Sequence, residues 1–436
     1  MNIRQFLQEM ERHNRVIHVD QAMPPDEKMA REIYRAGEQP IYFRSRWNGY
    51  RVAAGVCAAR RHFALAFGVP EGRLLARMVE ALRAPAQPPV VEHAPCQEVV
   101  ESDVDLEALP ILTHTKLDGG PYVTAAIAVI RDPELGRNVS FHRLMRLDRR
   151  RFAVRLVEGR GAHQAWLRAQ GDLPAAFCIG APIAAQLAGA MSPPAGVEEL
   201  AVAHALAPTP LARCIGLELE VPAESEIVLE GRITHELVDE GPFIDLTGTF
   251  DLVRRQPVVE IDRITHRRDP IYQALLPGGP EHKLLMGMPR EPTIFAAVSE
   301  VCDCRDVLIT PGGASWLHAV VQIHKRRPRD GRRAAAAAFR GHASLKHVVV
   351  VDDDIDIHNP AEVEWAIATR LQANRGLKVW RDQPSSSLDP SALHTPGQKS
   401  RTAKLTVDAT IPWDGPAGPR DPHAFQRVNY FAGEAK

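Results

Sequence analysis

The chain has 436 residues, with 53 Lys and Arg against 54 Asp and Glu, 18 His and 6 Cys. At roughly 150 residues per domain this length predicts two or three domains. Hydrophobic residues at 45%, charged residues at 25% and a net charge of −1 exclude a disordered chain, a disulfide scaffold and a strongly basic binder, and give no general pull toward nucleic acid or an anionic membrane.

The N-terminus mixes charge with apolar residues at helical spacing and predicts a first helix ending near His13-Asn14. It holds no apolar signal-peptide core, so a soluble, cytoplasmic protein is expected. Residues 1–105 read as a small α/β unit, with apolar runs at 40–43 and 50–55. A helix is predicted over 73–83, where Leu74, Leu75, Met78, Val79 and Leu82 share one side. Pro85, Pro88 and Pro89 break it and mark a linker.

Residues 106–290 are rich in strand patterns at 123–130, 217–221 and 227–233, and predict a β-dominated, barrel-like middle domain. Within it, Leu173 to Val197 carries no charge over 25 residues. Pro174, Pro182, Pro193 and Pro194, with Gly180 and Gly189, exclude a membrane span there. A buried strand, a turn at 180–182 and a small-residue helix are expected instead. Residues 291–436 return to an α/β pattern. It comprises a strand at 347–351 ending in Asp352-Asp353-Asp354, helices over 332–339 and 361–371, and a Ser/Pro-rich mobile loop over 383–400. Only Cys302 and Cys304 stand close together, with no second pair, so buried thiols are expected rather than a structural zinc site.

Four segments arrange polar side chains in ways that chemistry can use. Asp118-Gly119-Gly120-Pro121-Tyr122 leads through a strand and a turn to Asn138-Val139-Ser140-Phe141-His142-Arg143. In a strand, Asn138, Ser140 and His142 share one face and Val139, Phe141 and Arg143 the other. The first face can hold a metal or a phosphate, and Arg143 can hold a carboxylate through its planar fork. An exposed strand with solvated polar residues is the plainer alternative. His163, near a helix start, and Glu226 are ordinary residues when taken singly. With Asn138 they make a mixed O/N/O set that suits manganese or magnesium better than zinc.

The last segment is Glu240-Gly241-Pro242-Phe243-Ile244-Asp245. Its Gly-Pro turn presents two carboxylates five residues apart. An arginine between them would split their pKa values, leaving one ionised and the other able to hold a proton near neutrality. That describes a general acid beside a carboxylate-binding arginine. An exposed turn with two solvated acids is the alternative.

In order and spacing these residues resemble the UbiD family of reversible decarboxylases, which use prenylated FMN. The resemblance spans nearly the whole chain. Besides Asp118–Tyr122, Asn138-x-Ser140-x-x-Arg143, His163 and Glu240–Phe243, it rests on Pro174-x-Ala176 through Ile179-Gly180 and on Glu226 with Glu230-Gly231. Further on it takes in Gly312-Gly313 with Trp316–Val320, Val351–Asp356, Trp365-Ala366-x-Ala368-Thr369-Arg370 and Asp408-Ala409-Thr410. It implies an N-terminal α/β domain (1–105), a central split β-barrel that binds prenylated FMN (106–290) and a C-terminal α/β domain (291–436) that forms a homodimer.

The resemblance also implies roles. Asn138, His163 and Glu226 would hold a Mn2+ ion that bridges the cofactor phosphate, with K+ close by. Ser140 and Arg143 would line the cofactor site and Lys325 would approach the phosphate. The family's catalytic Glu-Arg-Glu set falls on Glu240, Arg143 and position 245, where Asp replaces the commonest residue and reaches about one methylene less far. The implied activity is non-oxidative, reversible decarboxylation of an aromatic, heteroaromatic or α,β-unsaturated carboxylic acid, with the flavin as electron sink. Arg143 would orient the substrate carboxylate, Glu240 would keep Arg143 placed, and Asp245 would protonate the carbon after CO2 leaves. A flavin prenyltransferase is the expected functional partner. Net carboxylation, a flavin-free metal-dependent lyase and a non-catalytic subunit of a carboxylase complex are the competing readings. Retention of Glu240, Arg143 and Asp245 together argues against the last.

Overall fold

The computed structural model describes residues 1–428 apart from 195, 396–397 and 415–416. The chain divides into two compact units, Met1–Pro289 and Arg290–Lys436, each a mixture of helices and strands.

The first unit is built on a nine-stranded antiparallel sheet. Its order runs Tyr122–Val123, Leu144–Arg146, Arg151–Val154, Arg254–His266, Ile227–Glu240, Leu173–Ile179, Ile127–Asp132 and Gly136–Phe141, with Val99–Glu101 paired to Arg254–His266. The two end strands, Tyr122–Val123 and Gly136–Phe141, are not paired with each other among the described residues, so the ladder stays open. The uncharged stretch forms the strand Leu173–Ile179 and the helix Ile183–Ala190, as its breakers predict. Small residues let that helix lie close on the sheet: a Cβ at Gly189 would meet Ile127 Cγ2 at 3.3 Å and Val139 Cγ1 at 3.5 Å. No helix among the described residues is long and apolar enough to cross a membrane.

A second sheet joins Ile17–Val19, Ile41–Trp47, Tyr50–Ala54 and Ile271–Gln273, so residues far along the chain complete the N-terminal sheet. The first helix, Ile3–Arg12, opens on a capping box in which Asn2 and Gln5 satisfy each other's backbone N–H groups. The strand expected at 217–221 shortens to Glu220–Pro222. The Glu230 carboxylate takes the N–H groups of Ile215 and Gly216 at 2.9 and 2.7 Å, which commits the preceding loop to a turn.

The second unit centres on a five-stranded sheet in the order Asp303–Ile309, His318–His324, His347–Asp352, Arg401–Asp408, Leu377–Pro384. The helices Glu291–Ser299, Asp330–Gly341 and Pro360–Arg370 belong to the same unit. Arg370 is wholly buried there and is neutralised by Asp352 at 2.8 Å and by Asp354. The Ser/Pro-rich stretch expected to be mobile is anchored: Ser385, Ser386 and Asp389 are buried, and Lys346 Nζ reaches Asp389 at 3.0 Å. Its Pro396 lies outside the described residues. The six cysteines are free thiols.

Candidate active site

Two distant segments meet at Arg143, which follows the end strand Gly136–Phe141. Its Nε donates to Glu240 Oε1 at 2.8 Å and its Nη2 to Glu240 Oε2 at 2.9 Å. Glu240 ends the long strand Ile227–Glu240 and its side chain is 0% exposed. A carboxylate so buried is tolerable only when paired, and the side-on arginine fork pairs both oxygens. Burial alone would lower the guanidinium's pKa, but Glu240 outweighs it and raises Arg143 above its ordinary value. Tyr122 adds a third bond, its hydroxyl donating to Glu240 Oε1 at 3.0 Å. Phe243 lies under the pair, 5.0 Å from the guanidinium carbon and 4.1 Å from the Tyr122 ring centre.

The glycine motif explains the closeness of these elements. Gly119 N–H donates to Pro242 O at 2.9 Å. A Cβ on Gly119 would stand 2.2 Å from Gly241 O, so only glycine lets the two backbones touch. Asp118-Gly119-Gly120-Pro121-Tyr122 is therefore a buttress for Glu240-Gly241-Pro242-Phe243, and it delivers Tyr122 to Glu240.

Beyond the Gly-Pro turn the chain folds back as a short hairpin, with Phe243 opposite Asp251 and Ile244 opposite Phe250. This register corrects one expectation. The second carboxylate in contact with Arg143 is Asp251, whose Oδ2 accepts from Nη2 at 3.0 Å. Asp245 sits in the hairpin loop, its N–H bonded to Thr249 O, where its charge still reaches Arg143. A Cβ on Gly278 would meet the Asp245 carbonyl at 3.3 Å, and Gly278 N–H donates to His282 Nδ1 at 3.0 Å. His282 therefore carries its proton on Nε2. Burial lowers its pKa, while Asp245 pulls it up and Arg143 pushes it down. Neither Asp251 nor His282 stands out in the sequence. Each joins the site only through hairpin register or a loop packing that local pattern does not encode.

On the other face of the strand, Ser140 Oγ bonds His142 Nε2 at 2.9 Å and Asn138 Oδ1 at 3.4 Å, as the alternation of faces predicts. His142 Nδ1 meets Arg155 O at 2.9 Å, and burial keeps this ring below its ordinary pKa. The helix Gly161–Arg168, which carries His163, starts against Asn138: a Cβ on Gly161 would lie 3.3 Å from Asn138 Nδ2. The acid at this point is Glu199, at the start of the helix Glu199–Leu206. Its carboxylate lies 3.4 Å from Asn138 Nδ2 and accepts the Val139 N–H at 3.2 Å. Burial pushes Glu199 up to about 7.

Glu226 is not at this place. It is wholly buried, gripped by both Arg4 Nε and Nη2 at 2.7 Å, and accepts the Ile271 N–H at 3.0 Å. Strand pairing separates it from Asn138 by three strands and about five residue steps, on the order of 20 Å. Its carboxylate staples the N-terminal helix to the sheet. Glu198-Glu199 opens a largely apolar helix, and nothing local in the sequence sets Glu199 apart from Glu226. Lys325 belongs to the second unit, where Nζ donates to Thr410 Oγ1 at 2.7 Å and Ile411 O at 2.8 Å.

Three family models cover almost the entire chain. They are the N-terminal domain of 3-octaprenyl-4-hydroxybenzoate carboxy-lyase over residues 7–82, its Rift-related domain over 89–280 and its C-terminal domain over 283–409. The chain belongs to the UbiD family of carboxy-lyases. It is 40% identical to the anhydromevalonate phosphate decarboxylase of Methanosarcina mazei, across 94% of this chain and 96% of that protein. The enzyme of the same name from Methanothermobacter thermautotrophicus is 42% identical across 83% and 85%. The UbiD-class enzyme HmfF from Pelotomaculum thermopropionicum, solved with FMN, superposes with a TM-score of 0.91 at 35% identity, covering 98% of this chain and 97% of that one. An evolved dimeric form of HmfF, solved with prFMN, gives a TM-score of 0.88 at 33% identity, over 98% and 96%. This UbiD-family chain is accordingly a decarboxylase-type enzyme, and its fold is that of UbiD-class enzymes.

Proposed function

We propose that the protein is a prenylated-FMN-dependent decarboxylase of an α,β-unsaturated or aromatic carboxylic acid. The observation that carries this reading is the Arg143–Glu240 pair. It is a guanidinium held rigidly by a buried carboxylate, in a chain that superposes on flavin-bound enzymes over nearly its full length. The open nine-stranded sheet is, in this reading, the flavin-binding split barrel. A homodimer is the assembly proposed.

The residues on the Asn138 face fit a divalent cation. Glu199 is a buried acid whose nearest base, Arg137, is engaged by Glu198 and Glu220 at 2.7 and 3.0 Å. A buried carboxylate held near neutrality by burial gains most from a divalent ion, and the carboxylate, Asn oxygen and His nitrogen make a donor set that suits Mn2+. Asn138, Glu199 and His163 would therefore hold Mn2+, with Ser140 beside it and K+ close by.

When bound, the flavin supplies the electron sink that a substrate sp2 carbon lacks. The chain's own residues do the rest. Arg143 binds the substrate carboxylate and orients the bond that breaks. Glu240 and Tyr122 prevent the guanidinium from turning. Asp245, whose charge reaches both Arg143 and His282, is the residue proposed to deliver a proton to the carbon once CO2 has gone.

The names of the relatives favour a phosphorylated unsaturated acid, anhydromevalonate phosphate, as substrate. The test is CO2 release from a panel that sets this acid beside its dephospho form and beside furoic and benzoic acids, with enzyme coexpressed with a flavin prenyltransferase. Turnover of the phosphorylated acid at least tenfold above the rest is the expected result. Turnover of aromatic acids alone would move the substrate class, and turnover of none would overturn the reading.

A further inference from the structure

Arg143 has five N–H groups, and the structure accounts for three. Nε and one hydrogen of Nη2 go to Glu240, at 2.8 and 2.9 Å, and the other hydrogen of Nη2 goes to Asp251 at 3.0 Å. No hydrogen bond reaches Nη1 among the described residues. Asp251 is itself fixed from the far side, its Oδ1 accepting from Arg254 Nη2 at 2.8 Å. The four side chains alternate in sign, Arg254, Asp251, Arg143, Glu240, and end on the Tyr122 hydroxyl. Burial alone would raise the pKa of Asp251, but the two guanidiniums hold it below the ordinary carboxylate value.

An isolated guanidinium offers an incoming carboxylate two bidentate edges: the side-on edge of Nε and Nη2, and the end-on edge of Nη1 and Nη2. Glu240 fills the first. Asp251 takes the Nη2 hydrogen on which the second depends. We infer that Asp251 is a positioning residue that closes the end-on edge of Arg143, so that the substrate carboxylate meets Nη1 alone. The assignment rests on the reading of Arg143 as the carboxylate-binding group. It has a consequence for catalysis. A carboxylate held through both edge nitrogens would be bound more firmly and aimed differently. One held at Nη1 is bound less firmly in the ground state and set at the angle that the rest of the site requires.

The hairpin places Asp251 for this purpose. Its partner Phe243 packs against the same guanidinium, so the backbone pairing that holds Phe243 under Arg143 also sets Asp251 beside it. The charge of Asp251 is balanced by Arg254, so closing the edge does not leave the substrate facing an unpaired anion.

The test uses the cofactor-loaded enzyme as wild type, Asp251→Ala and Asp251→Asn, with bound flavin and thermal midpoint recorded for each. In Asp251→Ala, kcat is expected to fall at least tenfold while KM stays level or drops, because the opened edge binds the carboxylate better and in the wrong place. Asp251→Asn keeps an oxygen that can accept from Nη2 and should restore part of the kcat. A purely structural role would instead lower the thermal midpoint and flavin content and leave kcat per bound flavin within twofold of wild type; that outcome overturns the proposal, as does a kcat loss accompanied by a raised KM.

Crystals of the cofactor-free proteins soaked in formate test the same point without turnover. Formate is expected at Nη1 alone in wild type and across Nη1 and Nη2 in Asp251→Ala. Identical occupancy of Arg143 in the two crystals, filled or empty, overturns it. An inactive wild type would count against the decarboxylase reading, and the formate crystals would still decide the role of Asp251.

Discussion

Tyr122 donates its hydroxyl hydrogen to the same Glu240 oxygen that receives Arg143 Nε, at 3.0 Å against 2.8 Å. A buried carboxylate oxygen thus takes one bond from a neutral donor and one from a charged donor, and both donors come from segments remote in sequence. Hydrogen bonds to charged groups contribute about 1.5–3 kcal/mol. Tyr122→Phe is expected to fold, to lose about that much stability in a denaturant titration, and to lower kcat severalfold with little change in KM. A kcat equal to wild type would show that Glu240 needs only Arg143 to stay in place.

Arg143→Ala should cost stability as well as the activity proposed for Arg143. It leaves Glu240 buried without a charge partner, a situation that costs about 3–5 kcal/mol when one member of a buried pair is removed. Removing both charges together, as Arg143→Met with Glu240→Gln, should recover much of the stability and none of the CO2 release. Comparing thermal midpoints of the single and double variants checks this, and equal midpoints would contradict it.

The proposed metal site predicts that the two buried glutamates separate by metal content. Glu199→Gln is expected to lower manganese per chain, measured by atomic absorption after purification in Mn2+, with only a small change in stability. Glu226→Gln should leave manganese unchanged and destabilise the protein by on the order of 3 kcal/mol, because Arg4 loses the partner that anchors the first helix. Reversal of the two outcomes would restore Glu226 to the metal site.

Glu281 gives a pH dependence of stability. It is 4% exposed, and burial pushes it up to about 7, against the backbone N–H groups of Gly55 and Cys57 that favour its ionised form. Its folded value exceeds its unfolded value of about 4.3. The folded state therefore binds the proton more tightly, and this contribution is full below about pH 4 and is lost as pH rises toward 7. Glu281→Gln should flatten the fall in stability between those limits, an effect of a few kcal/mol visible in urea titrations at pH 5 and pH 7.5. An unchanged slope would show that Glu281 is ionised throughout.

Much of this is legible in the residues alone. Arg143 and Glu240 each sit in a short motif whose residue types announce their chemistry, and the breakers in the uncharged stretch are enough to refuse a membrane span. The Asn138, Ser140 and His142 face follows from strand alternation alone. The acid proposed for the metal is placed differently from sequence because Glu199 and Glu226 look alike locally. Only the packing of one helix on the strand Gly136–Phe141, and the claim of Arg4 on the other acid, tell them apart. Asp251 stays hidden for a similar reason: its place beside Arg143 depends on hairpin register, which is set by backbone pairing six residues after Asp245. The sheet is legible as β-rich, but its open ladder is a property of strand order that periodicity does not carry.

The most direct measurement is CO2 release by this protein purified after coexpression with a flavin prenyltransferase, beside the same preparation made without it, on anhydromevalonate phosphate and the acid panel. The account predicts release from the first preparation, none from the second, and none from Arg143→Ala carrying the same amount of flavin. Equal release with and without the prenyltransferase, or undiminished release by Arg143→Ala, would contradict it.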